Sequence, residues 1–218
     1  MFTGIIQETG SIVSVEPRGA VQRIVVEAPT LAQHLHPGDS IAVSGVCLTA
    51  LDLTPTRFQA DLAEETVQRT SLRSLAPGTT VNLELPTAAG APLGGHVVQG
   101  HVDGVGRLVR LEPVSPANEL TDWTLEVEVP EGIRPWIVEK GSIAIEGISL
   151  TVARWDGRHL KVAIIPHTYT HTNLCHHRPG DPLNLEADVL LRHAAQQRAE
   201  RHAAEDDITL DFLIAHGY

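Results

Sequence analysis

A chain of 218 residues with 42% hydrophobic and 20% charged content has an ordinary globular composition, and its length suits one large or two small domains. The formal net charge of −11 excludes a nonspecific nucleic-acid binder, since that affinity rests on Lys and Arg neutralising phosphates. The two cysteines, Cys47 and Cys175, fit no structural disulfide; Met1-Phe2-Thr3-Gly4 leads straight into a strand-like segment without signal-peptide character, and a cytoplasmic location is expected.

In chain order, Ser11 to Val15 and Gln22 to Glu27 are predicted as strands with a hairpin turn at Pro17-Arg18-Gly19. His36-Pro37-Gly38-Asp39 is a tight turn feeding the strand Ser40 to Val43. Leu48 to Leu53 and Phe58 to Leu62 form the next pair, Glu64 to Leu75 has helical composition, and Val81 to Leu85 closes the unit. Pro86 to Gly95 reads as a linker. The plan then repeats with strands over Gly106 to Leu111, Trp123 to Val129, Ser142 to Ile145, Leu150 to Trp155, Leu160 to Ile164 and Leu183 to Glu186. From Asp188 the composition turns helical; Val189, Leu190, Ala194 and Ala199 form a narrow apolar stripe with no barrel left to pack on, which points to another subunit. Asp206-Asp207 is expected to cap a last short helix over 208–215.

The repetition is literal. SIAVSGVCLT (Ser40 to Thr49) recurs as SIAIEGISLT (Ser142 to Thr151), an offset of 102 residues that also maps Thr66 to Thr168 and Asn82-Leu83-Glu84 to Asn184-Leu185-Glu186. Gly4 and Gly10 map to Gly100 and Gly106 at an offset of 96. About six strands and a short helix per copy argue for an all-β chain of two tandem six-stranded β-barrels plus a C-terminal α-helix, divided as 1–95, 96–187 and 188–218.

Alternation sends Cys47 and Thr49 to one side of a strand and Leu48 to the other, and likewise Ser149 and Thr151 against Leu150. Such a polar pair on a barrel face suits the edge of a planar heterocycle; ordinary strand-forming Thr beside a turn Gly is the plainer explanation, weakened by its recurrence. In Gly94 to Gly104, His96 and His101 differ by five, so on one strand they could not share an ion, and no metal is expected. The glycines there suggest close backbone approach. Thr66 and Thr168, at the start of short helices, either border a ligand or serve as N-caps. Lys140 and Lys161 are the chain's two lysines; Lys140 directly precedes the second Gly-Ser strand and is otherwise a solvated turn residue.

Taken together, MFTGII, the cores GVCLT and GISLT, GGHVVQGHVDGVG and IPHTYTHTNL resemble the riboflavin synthase family, of the lumazine-dismutating α-chain type, across essentially all of 1–218. The resemblance implies a transferase that converts two molecules of 6,7-dimethyl-8-ribityllumazine, by four-carbon transfer, to riboflavin and 5-amino-6-ribitylaminouracil without a cofactor. It also implies a homotrimer joined by the C-terminal helices, with one lumazine per barrel and an active site between barrels of neighbouring subunits; association with lumazine synthase is a further possible partnership. Carried over by position, Gly4, Ile5, Ile6, Cys47, Leu48, Thr49, Asp61, Leu62, Ala63, Glu64, Glu65 and Thr66 should line the N-terminal site. Ser149, Leu150, Thr151, Ile165, Pro166, His167, Thr168, Tyr169 and Thr170 should line the C-terminal one, with Lys140 beside it and Gly100, His101 and Val102 near the shared interface. Phe2, Ser40, Cys47, His101 and Asp188 match positions tied to activity in the family, and Lys140 joins them as a catalytic candidate. Glu146, where the family often has Asp, and Ser44, where Asn is common, depart from the pattern. Two competing readings are a noncatalytic lumazine or flavin carrier, which would lose polar residues in one copy, and a flavoprotein reductase barrel, whose flavin motif and nucleotide-binding partner domain are not visible.

Overall fold

The computed structural model describes residues 1–118 and 120–206, with side chains through 198. The helix expected over 208–215 lies outside the described residues. The first unit contains β1 (Glu8–Arg18), β2 (Val21–Glu27), β3 (Ser40–Val43), β4 (Val46–Thr49), β5 (Leu51–Thr54), β6 (Arg57–Ala63), α1 (Glu64–Arg69) and β7 (Thr80–Glu84). The second contains β8 (Gly104–Pro113), β9 (Trp123–Glu128), β10 (Ser142–Ile145), β11 (Ile148–Thr151), β12 (Arg154–Trp155), β13 (His159–Ile164), α2 (Pro166–Thr170) and β14 (Pro182–Ala187), and α3 (Val189–Asp206) follows. Each unit is a seven-stranded sheet in the same order, β4-β3-β7-β1-β2-β6-β5 and β11-β10-β14-β8-β9-β13-β12, with antiparallel neighbours throughout.

Seven strands replace the expected six because the segment read as Leu48 to Leu53 changes partner. β4 pairs with β3 and β5 with β6, while Ala50 between them turns its backbone to the Gly38-Asp39 turn. Val152 does the same against Lys140 and Gly141 in the second unit. The edge strand β4 returns into contact with β6, as β11 does with β13, so each sheet curls around its own core. One-residue irregularities at Val13 and Val109, equivalent positions, add local bend to β1 and β8. Phe58, Ile24, Ile41 and Leu83 are buried in the first core; Leu125, Ile143, Leu160 and Leu185 are buried in the second.

Other expectations shift for local reasons. The first hairpin turns at Gly19-Ala20, and Pro17 sits inside β1 opposite Gln22. Beyond Ser11, β1 has only β2 as a neighbour, so the missing Pro17 N–H breaks no ladder on the free side. Glu64 to Leu75 is split at Thr70, whose backbone is extended and whose Oγ1 accepts from Leu72 N; α1 ends there and a 3-10 turn follows. The base of α3 does find a surface. Leu191 lies against Gly141, and Arg192 sits 6.0 Å from the Trp136 ring while bonding Asp103 (2.6 Å) and Gln99 (2.7 Å).

The units meet about a local pseudo-twofold. β3–β4 and β10–β11 are joined by two-residue turns, Ser44-Gly45 and Glu146-Gly147, with all four φ angles positive, as a type I′ hairpin requires. The turns press on each other: a Cβ at Gly45 would lie 2.7 Å from Gly147 N, and one at Gly147 would lie 2.7 Å from Gly45 N. Asn82 Nδ2 donates to Glu146 O and Asn184 Nδ2 donates to Ser44 O, each at 2.9 Å, so each unit's last strand holds the other unit's turn. The two asparagine oxygens accept reciprocally from Asn173 N and Ser71 N, both at 2.7 Å. The departures from the family pattern sit here and are absorbed. Ser44 Oγ accepts from Asn82 N (3.3 Å), while the buried Glu146 carboxylate accepts from Asn184 N (2.7 Å), Asn173 Nδ2 (3.0 Å) and Ser71 Oγ (3.3 Å).

Gly45→Ala is expected to cost about 2–5 kcal/mol, combining left-handed strain with displacement of Gly147. Gly19→Ala, also at positive φ but facing open space, should cost only about 1–2 kcal/mol. Thermal unfolding of the two variants checks the difference; equal shifts in Tm would show that the inter-unit contact contributes nothing.

Candidate functional site

Two arms carry predicted site residues across to the opposite unit. Arm one, 1–7, precedes β1; arm two, 97–103, precedes β8. Phe2 and Val98 pair antiparallel through Phe2 N to Val98 O (2.8 Å) and Val98 N to Phe2 O (3.0 Å). Each arm is anchored by a carboxylate of its own unit's last strand. Glu84 accepts from Thr3 N (2.7 Å), Thr3 Oγ1 (3.0 Å) and Gly4 N (3.0 Å); Glu186 accepts from Gln99 N (2.6 Å), Gly100 N (3.0 Å) and His101 N (3.0 Å). The arms then cross to the opposite unit. Ser149 N donates to Gly4 O at 2.7 Å, and Cys47 N donates to Gly100 O at 2.9 Å. Ile6 packs on the second core and Val102 on the first.

The crossing sets each arm against the opposite unit. Gly4 to Ile6 lie with the second unit, beside Ser149, and Gly100 to Val102 lie with the first, beside Cys47; a residue early in the chain belongs to the unit its backbone bonds, not to the unit nearest in sequence. Glycine is required at the crossings, since a Cβ at Gly100 would lie 2.6 Å from Cys47 Cβ and one at Gly4 would lie 2.7 Å from Ser149 Cβ.

The first face carries Cys47 half-buried and Thr49 exposed, with Leu48 turned into the core. Ser40, exposed, pairs with Thr49 across the strands. Asp61 is gripped by Arg23 through two bonds of 2.6 and 2.7 Å, and Arg23 also reaches Asp52 at 2.7 Å. Those bonds hold the Asp61 carboxyl below its ordinary range. Leu62 is core; Ala63, Glu64 and Glu65 are exposed, and Thr66 is half-buried inside α1. Leu62 and Glu64 also line a shallow depression of about 280 Å³ against the Gly19-Ala20 turn.

On the second face, Ser149 and Leu150 are half-buried and Thr151 is exposed. Ile165 is 57% exposed and opens α2, Pro166 is its first residue, and Tyr169 stacks on Trp123 with centroids 3.7 Å apart. His167, stacked on His171, and Thr170 are exposed, and Thr168 is half-buried. Neither threonine caps its helix: the cap positions are Ala63 and Ile165, without side-chain bonds. Lys140 is exposed at φ 67°, its Nζ 3.5 Å from Ala153 O. Asp188 opens α3, accepting from Leu190 N (2.9 Å) through Oδ1 and from Arg192 N (2.9 Å) through its carbonyl.

Some residues contribute from a distance. Phe2 is fully buried with Ala42, Val98 and Ala144, and Cys47 packs against this cluster. A cleft of about 390 Å³ between the units is lined by Ser44, Ser71, Glu146, Asn173, His177 and neighbours, and by none of the expected site residues. Glu84, Glu186, Arg23 and Arg192 were missed, although the repeated Asn-Leu-Glu carried the signal for the first two. Nor does sequence spacing reveal the partner of His96. Its Nδ1 lies 2.7 Å from Ser149 Oγ, and Nε2 is buried without a hydrogen-bond partner among the described residues. Burial holds its imidazole below the ordinary histidine range, with Asp188 pulling the other way.

The lumazine-binding domain family matches this chain twice, over residues 3–86 and 99–188. The chain is 40% identical to a riboflavin synthase of Actinobacillus pleuropneumoniae and 36% identical to one of Bacillus subtilis, over the full length of both partners in each comparison. Against one from Mycobacterium bovis it is 40% identical, covering 88% of this chain and 96% of that protein. Among solved structures, LumP complexed with 6,7-dimethyl-8-(1'-D-ribityl) lumazine superposes with a TM-score of 0.76 at 22% identity, and LumP with riboflavin at 0.78 and 23%; both cover 86% of this chain and 99% of the other. Fold and repeat thus place the chain in the lumazine-binding domain family. Within that class, the chain belongs to the riboflavin synthase family.

Burial raises the Glu186 pKa to about 7, against the three amides that favour its anion. The folded state therefore holds this proton more tightly than the unfolded one. The resulting stabilisation is complete below about 4.5 and is lost as the pH rises through about 7. Urea midpoints taken between those values should fall with pH in the wild type, and Glu186→Gln should flatten that segment; an unaltered slope would assign the proton to another group.

Proposed function

We propose that the chain carries out the dismutation of two molecules of 6,7-dimethyl-8-ribityllumazine, transferring four carbons from one to the other to give riboflavin and 5-amino-6-ribitylaminouracil. The observation that carries this reading is the pair of repeat-related faces, each with a polar strand pair and an arm glycine bonded to it, in a chain 40% identical to a riboflavin synthase from end to end. Two like faces suit two like substrates. One lumazine is oxidised as the other is reduced, so no separate redox cofactor enters the reaction.

In this reading Gly100, His101 and Val102 join Cys47 to Thr49 and Asp61 to Thr66 around one lumazine, while Gly4 to Ile6 join Ser149 to Thr151 and Ile165 to Thr170 around the other, with Lys140 and Asp188 nearby. Deprotonation of the acidic C7 methyl by a base, followed by stacking of the two rings, accounts for the residue types, and stacking is chiefly a proximity effect. The proposed division of the chain is 1–95, 96–187 and 188–218, with the last segment joining three subunits in the cytoplasm. Exposed Ile5, Ile165, Val138 and Leu190 support a second chain on the C-terminal side. Association with lumazine synthase is part of the same reading.

Mixing purified protein with the lumazine should produce riboflavin fluorescence; binding without turnover would identify a carrier and overturn the enzyme reading. Cys47→Ser should lower kcat by about tenfold or more, and unchanged turnover would reduce Cys47 to packing. Sedimentation should give three times 23.5 kDa, and a monomer would remove the trimer.

A further inference from the structure

The two faces are related by repetition, yet the groups pressed on their central residues differ. Cys47 meets Gly100 and the Phe2 ring, and among the described residues no imidazole is bonded to it. Ser149 meets Gly4, Gly95 and His96. His96 reaches Ser149 Oγ with two groups: its backbone N–H donates at 3.3 Å, and ring Nδ1 lies at 2.7 Å. With Oγ accepting from the amide, its own proton is free to point at Nδ1, the arrangement of a hydroxyl and its base. The Asp188 carboxylate favours the protonated ring, whereas burial opposes it. A serine hydroxyl and an imidazole thus meet on the second face and, among the described residues, not on the first.

We propose that His96 makes the two repeat-related faces chemically unequal, by holding the Ser149 hydroxyl as a proton-transfer group through the Nδ1–Oγ bond, so that the lumazine on the second face is the one that loses its C7-methyl proton. This rests on the dismutation reading above. In the step, a C7-methyl C–H bond breaks and its electron pair delocalises into the pteridine. The proton passes to Ser149 Oγ as the Ser149 O–H proton passes to His96 Nδ1, leaving a substrate anion beside an imidazolium. Cys47, without such a partner, faces the lumazine that receives the carbanion. His96 acts through Ser149 and is therefore a positioning and proton-accepting residue that need not touch the substrate.

The test follows riboflavin formation and, by proton NMR in D2O, enzyme-driven exchange of the C7-methyl protons above the buffer rate, using the full chain. His96→Asn keeps an amide able to bond Ser149 Oγ but cannot take up a proton. It should lose about 100-fold or more in kcat and in exchange, with KM within about threefold of wild type. Added imidazole should restore part of the turnover of His96→Ala. Turnover and exchange of His96→Asn within about threefold of wild type would overturn the proposal, leaving His96 as a structural tie. If the His96 variants fail to unfold cooperatively, Ser149→Ala carries the test with the same expected losses, and its retention of exchange is equally fatal. Wild-type protein that forms no riboflavin would sink the enzyme reading itself, whereas active wild type with active His96→Asn sinks only this inference.

Discussion

The backbone contact between the Ser44-Gly45 and Glu146-Gly147 turns is the constraint on which the rest of the molecule depends. Two hairpins meet where neither has room for a Cβ, and the asparagines that close each sheet bond the carbonyl of the other sheet's turn. A buried asparagine left without its partners costs roughly 1–3 kcal/mol per unmet group, so this junction tolerates little sliding or rotation. Its reciprocity fixes one relative orientation of the units, and that orientation sets how far each arm must travel.

The arms convert this rigid junction into two faces. Glu84 and Glu186 sit two residues beyond the junction asparagines on the same strands, and each carboxylate gathers the amides at the point where an arm crosses. Strand alternation places the asparagine and the glutamate on one side of the strand, so a single strand end both joins the units and aims an arm. The start of α3 is tied into the same assembly: Asp103 accepts from Ala187 N (2.9 Å) and from Arg192, and Arg192 also holds Gln99. The base of α3 is thereby linked mechanically to the arm beside Cys47.

Exact symmetry would make the faces interchangeable, and the chain departs from it at a few places. Arg23 and Asp61 form an ion pair across β2 and β6, where Thr124 and Ala163 face each other across β9 and β13. Cys47 answers Ser149, and Ser149 alone has His96. These differences lie on the outer faces, and the cores keep the repeat, whereas the junction departs from it at Ser44 against Glu146 and Ser71 against Asn173.

The sequence by itself determined the duplication, the β-rich plan of each unit, the outward pairing of Cys47 with Thr49 and of Ser149 with Thr151, and the family, because these depend on local alternation, turn residues and motifs read along the chain. It located glycines needing close approach without saying what they approached. Only the tertiary structure decided that Gly4 lies against Ser149 and Gly100 against Cys47, that the Glu146 carboxylate bonds within the junction, and that Phe2 is buried. The same holds for His96 and Ser149, 53 residues apart. Each of these depends on two segments distant in sequence meeting across the pseudo-twofold, and no periodicity within either segment encodes which partner lies on the other side.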